Sequence, residues 1–141
     1  MANFYGIESL GALTVLTTHR EAGYTFIALT DLKMLGCRLY TPTNVENIKC
    51  TLWDSTKTVI AECTVGKAYA DEWAEAYFTE PVPLTIGNSY TISAWIAANR
   101  YRANISDTTI LHYISVVDGC YTAVQGAYPD STAAMIYQII D

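Results

Sequence analysis

Asn47 to Val65 reads NIKCTLWDSTKTVIAECTV. In its first half Ile48, Cys50 and Leu52 fall on one side of an extended chain, and Lys49, Thr51 and Trp53 on the other. In its second half Val59, Ala61, Cys63 and Val65 oppose Ile60, Glu62 and Thr64. A period of two is what a half-buried strand imposes, because successive side chains leave opposite faces. Asp54-Ser55-Thr56 between the halves is turn chemistry. Two strands joined by a tight turn are predicted.

The same pattern extends outward. Leu35, Cys37 and Leu39 form an apolar row ended by Thr41-Pro42-Thr43-Asn44, and from Ser89 to Ala97 the residues Tyr90, Ile92, Ala94 and Ile96 oppose Thr91, Ser93 and Trp95. Further turn signals stand at Gly66-Lys67, Gly87-Asn88-Ser89, Asp118-Gly119 and Tyr128-Pro129-Asp130. Eighteen threonines and eleven tyrosines add a strong β bias. Ala133 to Ile140 is apolar on both faces, so a closing strand central in a sheet is expected. Ala68 to Phe78 is rich in helix formers. As a strand it would place Trp73, Glu75 and Tyr77 on one face and Ala74, Ala76 and Phe78 on the other. Pro81 disfavours helix just before it, so strand is preferred. Glu8 to Leu16 reads as an arm or an edge strand. Short strands punctuated this often indicate an all-β antiparallel sandwich or barrel, with at most one short helix.

The chain has 141 residues, enough for one domain with a self-sufficient core. It is 51% hydrophobic, yet no apolar run approaches the roughly 20 residues of a bilayer span. Eight Lys and Arg against fourteen Asp and Glu give a net charge of −6, which repels phosphate backbones and argues against nucleic-acid binding. Met1-Ala2-Asn3-Phe4-Tyr5-Gly6 carries neither a basic n-region nor an apolar h-region, so either synthesis in a host cytoplasm without a signal peptide or a mature piece whose leader is not included is expected. Without such a signal the sequon Asn104-Ile105-Ser106 means little.

Several segments in order resemble a family of jelly-roll modules of undefined function found in bacteriophage structural proteins and bacterial surface proteins. They are Gly23-Tyr24-Thr25-Phe26, Leu35 to Tyr40, Cys50-Thr51-Leu52-Trp53-Asp54 leading into Val59 to Val65, Trp73, Pro81 to Leu84, Gly87 to Tyr90 and Tyr137 to Asp141. The most specific are Leu52-Trp53-Asp54 and the Leu84-to-Tyr90 unit. Pro42 to Asn47 departs from the Gly- or Asn-rich loop usual before the Leu-Trp strand, and Arg100 to Asp130 aligns with nothing. The resemblance implies a single antiparallel β-sandwich of jelly-roll type over residues 23–141, preceded by an arm or edge strand over 1–22. It brings no catalytic residues. In the Gly87-to-Tyr90 unit the glycine permits positive φ, and Tyr90 is placed to bond its hydroxyl back to nearby backbone.

No constellation suggests catalysis. His19 and His112 have no partner at a metal or relay spacing, and no nucleophile elbow, phosphate loop or His-Glu-x-x-His motif occurs. Asp71, Glu72 and Glu75 read as solvated charge, and no two carboxylates are singled out as a facing pair. Asp107, Asp118 and Asp130 in expected loops offer a weak case for calcium. Asn99 to Arg102 is too small a basic patch to reverse the acidity. Cys37, Cys50, Cys63 and Cys120 are spaced 13, 13 and 57 residues apart, without the close pairs of a zinc site. They read as free thiols filling core space, with one cross-strand disulfide as the alternative. No cofactor and no metal are expected.

The aromatics say more. Trp53 and Trp95 fall on the polar side of their strands, where an exposed indole marks a covered or contact-making surface. Three readings stand: burial under a loop or the N-terminal arm, a protein–protein interface, or a platform for a sugar ring. Trp53, Trp95, Trp73, Tyr101, Tyr113, Tyr121 and Tyr128 are therefore the interface or ligand-stacking candidates. The expected function is non-enzymatic: an accessory or structural protein of a bacteriophage virion (tail, baseplate or head decoration), packing against other virion proteins and copies of itself. The alternative is a carbohydrate-binding module for bacterial surface glycans, located on the virion or on a bacterial cell surface. Neither nucleic acid nor membrane is an expected partner.

Overall fold

Each run of alternating residues becomes a strand, and the turns between them carry the chemistry that closes them. The computed structural model describes residues 13–15, 20–41, 44–70, 72–96, 102–104, 109–110 and 113–133. Eleven strands follow in order: β1 (Leu13–Val15), β2 (Arg20–Ala28), β3 (Leu32–Tyr40), β4 (Val45–Trp53), β5 (Val59–Ala68), β6 (Trp73–Leu84), β7 (Ser89–Ile96), β8 (Arg102–Asn104), β9 (Thr109–Ile110), β10 (Ile114–Thr122) and β11 (Ser131–Ala133). Among the described residues there is no helix, and none that is long and apolar enough to cross a membrane.

The main sheet runs β11-β10-β2-β7-β4-β5, with β9 against β10, while β3 pairs with β6 and β1 with β8. All pairings are antiparallel, and the pairs β1·β8, β2·β7, β3·β6 and β4·β5 nest one inside another. The chain is thus one long hairpin folded over, which is jelly-roll connectivity, and the all-β sandwich expected from the sequence is what forms.

The core lies between the main sheet and the β3–β6 pair. Ala22, Tyr24, Phe26, Cys50, Leu52, Ile92 and Ala94 face it from one side, and Cys37, Leu39, Ala76, Phe78 and Leu84 belong to the same buried cluster. Cross-strand neighbours knit the first set together: Phe26 opposes Tyr90, Tyr24 opposes Ile92, and Leu52 opposes Ile92 from the other side. The Phe26 and Tyr90 ring centroids are 5.9 Å apart.

The β4–β5 turn is closed by one carboxylate. Asp54 Oδ1 accepts from the backbone N–H of Thr56 at 2.9 Å and of Thr58 at 3.1 Å, while Lys57 sits at φ +63°. The β6–β7 turn uses Gly87 at φ +83°, whose N–H donates to Ala28 O at 2.8 Å. Within it the Thr85 N–H donates to Tyr90 Oη at 2.9 Å, the backward bond expected of this tyrosine. Tyr90→Phe keeps the ring and loses the acceptor. Urea unfolding of that variant is expected to show a loss of about 1 kcal/mol, and an unchanged midpoint would remove the bond from the account.

Four expectations need correction. Gly66-Lys67 is not a turn but lies inside β5, and the reversal comes at Tyr69 to Glu72, where the Glu72 N–H bonds Tyr69 O. Asp118-Gly119 is likewise inside β10, at a register shift that begins after Val116, so these turn residues accommodate a bulge. Between Ala68, which ends β5, and Phe78 the strand resumes only at Trp73, and β6 continues through Pro81 and Pro83, which is tolerated where, among the described residues, β6 pairs with β3 alone. Of the expected closing strand Ala133 to Ile140 only Ala133 is described, at the end of β11 and opposite Gly119 of β10. Residues 134–140 lie outside the described ones. β2 begins at Arg20, and Arg20 to Ala22 pair with β7, ahead of the expected start at Gly23.

Candidate functional site

The sequence-singled aromatics divide between two outer faces of the sandwich. The first is the side of the main sheet turned away from the core, where Glu21, Thr25, Thr51, Trp53, Thr91 and Ser93 alternate with core residues. Such a face is ordinarily wet. Here Glu21, Thr51, Trp53, Thr91 and Ser93 are all buried.

The cover is the segment after β10. Tyr128 sets its ring edge-on to Trp53, with centroids 5.4 Å apart at 90°. The Tyr128 and Thr91 hydroxyls are 3.1 Å apart, and Thr91 meets Thr25 at 3.0 Å. Beneath this lid Trp53 Nε1–H donates to Ser93 Oγ at 3.0 Å, and Ser93 Oγ–H donates to Glu21 Oε2 at 2.7 Å. Gly126, at φ +74°, donates its N–H to Glu21 Oε1 at 3.0 Å. Outside, Lys57 Nζ lies 2.6 Å from Asp130 Oδ1 and 5.2 Å from the centre of the Tyr128 ring. Trp53 and Tyr128 therefore hold a second, polar-lined layer together. Trp53 is 5% exposed and offers no platform in the isolated chain.

Burial pushes the Glu21 carboxyl above its ordinary value of 4.5, against the opposing pull of the Ser93 and Gly126 hydrogen bonds and the Lys49 charge. The folded protein consequently holds this proton more tightly than the unfolded chain. Stability contributed by the neutral acid is present below pH 4.5 and is lost as pH rises through the folded value. The unfolding free energy of the native protein minus that of Glu21→Gln should fall as pH rises above 4.5. Chemical denaturation from pH 4 to 8 reads this, and a difference flat with pH would contradict it.

The remaining candidates are scattered. Arg20 places its guanidinium 4.0 Å over the ring of the half-buried Tyr121. Tyr113 is half-buried against the core and Trp95 half-buried at the end of β7. Tyr101, His19, His112, Asp71 and Asp107 lie outside the described residues. Asp118 is exposed on β10 and Asp130 is paired with Lys57, so these two do not converge.

The second face is the outside of the β3–β6 pair. Trp73, Glu75 and Tyr77 share it, opposite Tyr40, Arg38 and Gly36 in register, while Ala76 and Phe78 point inward. The Arg38 guanidinium lies 4.0 Å over the Trp73 indole. Tyr77 is 56% exposed, and its hydroxyl donates to Glu75 Oε2 at 2.8 Å, which raises the phenol above its ordinary value. Sequence alternation had set Trp73 and Tyr77 on one face, but not the partnership with Arg38, which comes from a strand 35 positions earlier.

A third feature was missed. Cys37, Cys50 and Cys63 are buried and joined by no disulfide, and their sulfurs all lie within 4.8 Å of one another. Ligand pairs close in sequence belong to loops; here one residue comes from each of three strands, so spacing gave no signal. Among the described residues no other group of His, Cys, Asp or Glu converges in this way.

A family model described as a domain of unknown function (DUF4082) matches residues 13–137. No curated protein and no solved structure matches the chain.

Proposed function

We propose that this chain, which belongs to the DUF4082 family, is a non-catalytic interaction module that joins a larger assembly by packing its β3–β6 face against protein. The assembly implied by the resemblance in Leu52-Trp53-Asp54 and Leu84 to Tyr90 is a bacteriophage virion, with neighbouring virion proteins and further copies of the chain as partners. The observation that carries the reading is the strip of half-buried Trp73 and exposed Glu75 and Tyr77 beside Arg38. Trp, Tyr and Arg dominate the energetics of protein interfaces. Stacking of Arg38 on Trp73 and the Tyr77–Glu75 bond fix the side chains before contact, which lowers the ordering cost of association. Other exposed apolar side chains, Ile86 and Val124 among them, add contact area elsewhere.

Sedimentation velocity over a concentration series tests this. The chain should self-associate, and Tyr77→Ala should weaken that association about thirtyfold, the effect of a hot spot of about 2 kcal/mol. A monomer at every concentration, unable to bind a purified virion, would overturn the proposal. A second reading draws on the same face: the exposed Tyr77 ring flanked by Glu75 and Arg38 suits a sugar ring stacked on the aromatic and hydrogen-bonded at its rim. A glycan array giving a saturable signal that Tyr77→Ala abolishes would favour it over protein packing.

A further inference from the structure

We propose that Cys37, Cys50 and Cys63 form a binding site for a single soft monovalent ion, Cu(I), held by three sulfurs inside the sandwich. Cys50 and Cys63 stand directly opposite each other on β4 and β5, and Cys37 reaches them from β3, which belongs to the other pair of strands. The Cys37 and Cys63 sulfurs are 3.4 Å apart, and all three lie within 4.8 Å of one another. Three sulfurs in a plane at about 2.3 Å from a central ion stand about 4 Å from each other. The existing triangle brackets that size, so loading needs only small side-chain rotations.

The chemistry of the donor set selects the ion. Among the described residues no fourth His, Cys, Asp or Glu joins the group, so a tetrahedral ion such as Zn(II) is left one ligand short. Burial at 0% exposure for Cys50, 5% for Cys37 and 7% for Cys63 keeps solvent from filling that place. Thiolates select soft ions, and Cu(I) is among the softest. The surroundings, including Leu39, Leu52 and Val65, are hydrocarbon, which protects a cuprous ion from water and oxidant.

Binding transfers no electron: each thiol that becomes a ligand releases its proton to solvent, so affinity rises with pH. Entry goes by way of β5, the edge strand of the main sheet, which carries Cys63.

Anaerobic titration of the reduced full chain with Cu(I) against a chromophoric cuprous chelator tests the site. One ion per chain is expected, with affinity reduced at least a hundredfold in Cys37→Ala and Cys63→Ala and unchanged in Cys120→Ala, whose thiol lies in β10 outside the group. X-ray absorption on the loaded native chain, independent of any variant's folding, should show three sulfurs at about 2.3 Å and no nitrogen or oxygen. Absence of stoichiometric Cu(I) uptake overturns the proposal. So does equal loss on removing Cys120, or preferential binding of Zn(II) with a fourth oxygen or nitrogen ligand.

Discussion

Gly23→Ala should cost the protein more than about 4 kcal/mol, a large share of the roughly 5 to 15 kcal/mol that holds an ordinary domain folded. A Cβ at position 23 would lie 1.7 Å from the backbone oxygen of Ile92 and 2.9 Å from the Ser93 Cα. These are main-chain atoms of β7, so no rotamer change relieves the clash. β2 is an interior strand, with Gly23 opposite Ser93 on one side and Cys120 on the other. Making room means separating β2 from β7 at the centre of the sheet, beside fully buried Tyr24 and Ile92. Gly66→Ala is the control. That glycine also lies within a strand, but an added Cβ meets nothing within 4 Å, so its stability should stay within about 1 kcal/mol. Thermal unfolding of the two variants side by side reads the contrast, and a Gly23→Ala protein melting near the native temperature would refute the close approach.

Gly36 shows why the neighbouring sheet is more forgiving. Its Cβ would come 2.0 Å from Ala76 O, a comparable clash, yet β3 already carries an irregular register between Met34 and Gly36. A two-stranded pair with a bulge has somewhere to move, and an interior strand flanked on both sides does not.

Gly23 also marks the limit of what the sequence discloses. The period-two runs around Cys50, Cys63 and Ile92 were legible because burial on one face writes itself into residue type, and so were the strands and the all-β class. Trp73, Glu75 and Tyr77 were assigned to one face for the same reason. The covered outer face was legible only through Trp53, for which burial under a loop stood among the three readings. Glu21, Thr51, Thr91 and Ser93 look like solvent-facing residues, since hydrogen bonding rather than hydrophobicity makes their burial possible. Nor does alternation within a strand say which strands lie side by side. The meeting of Cys37 with Cys50 and Cys63 follows from the folding-over of the long hairpin, a fact about pairing that no local pattern carries.

The other large effect is expected at Trp53. Trp53→Ala removes a side chain 5% exposed and should lower stability by about 3 to 5 kcal/mol, as deletion of a buried indole does. Three contacts go together: the edge-on ring of Tyr128, the donor to Ser93 Oγ, and through Ser93 the support of Glu21. Trp53→Phe separates packing from hydrogen bonding. It keeps an aromatic against Tyr128 and should cost about 1 to 2 kcal/mol. The loop reports the same event independently, because the Gly126 amide donates to Glu21 only while the lid is closed. Hydrogen exchange at Gly126 should accelerate in Trp53→Ala well beyond its change in Trp53→Phe. Water reaching Glu21 removes the burial that raises its pKa, so the decline in stability above pH 4.5 should flatten in Trp53→Ala as well. If the alanine variant loses less than about 1 kcal/mol and keeps the native pH dependence, the lid is held by Lys57 and Asp130 at its rim, and Trp53 merely fills space beneath it.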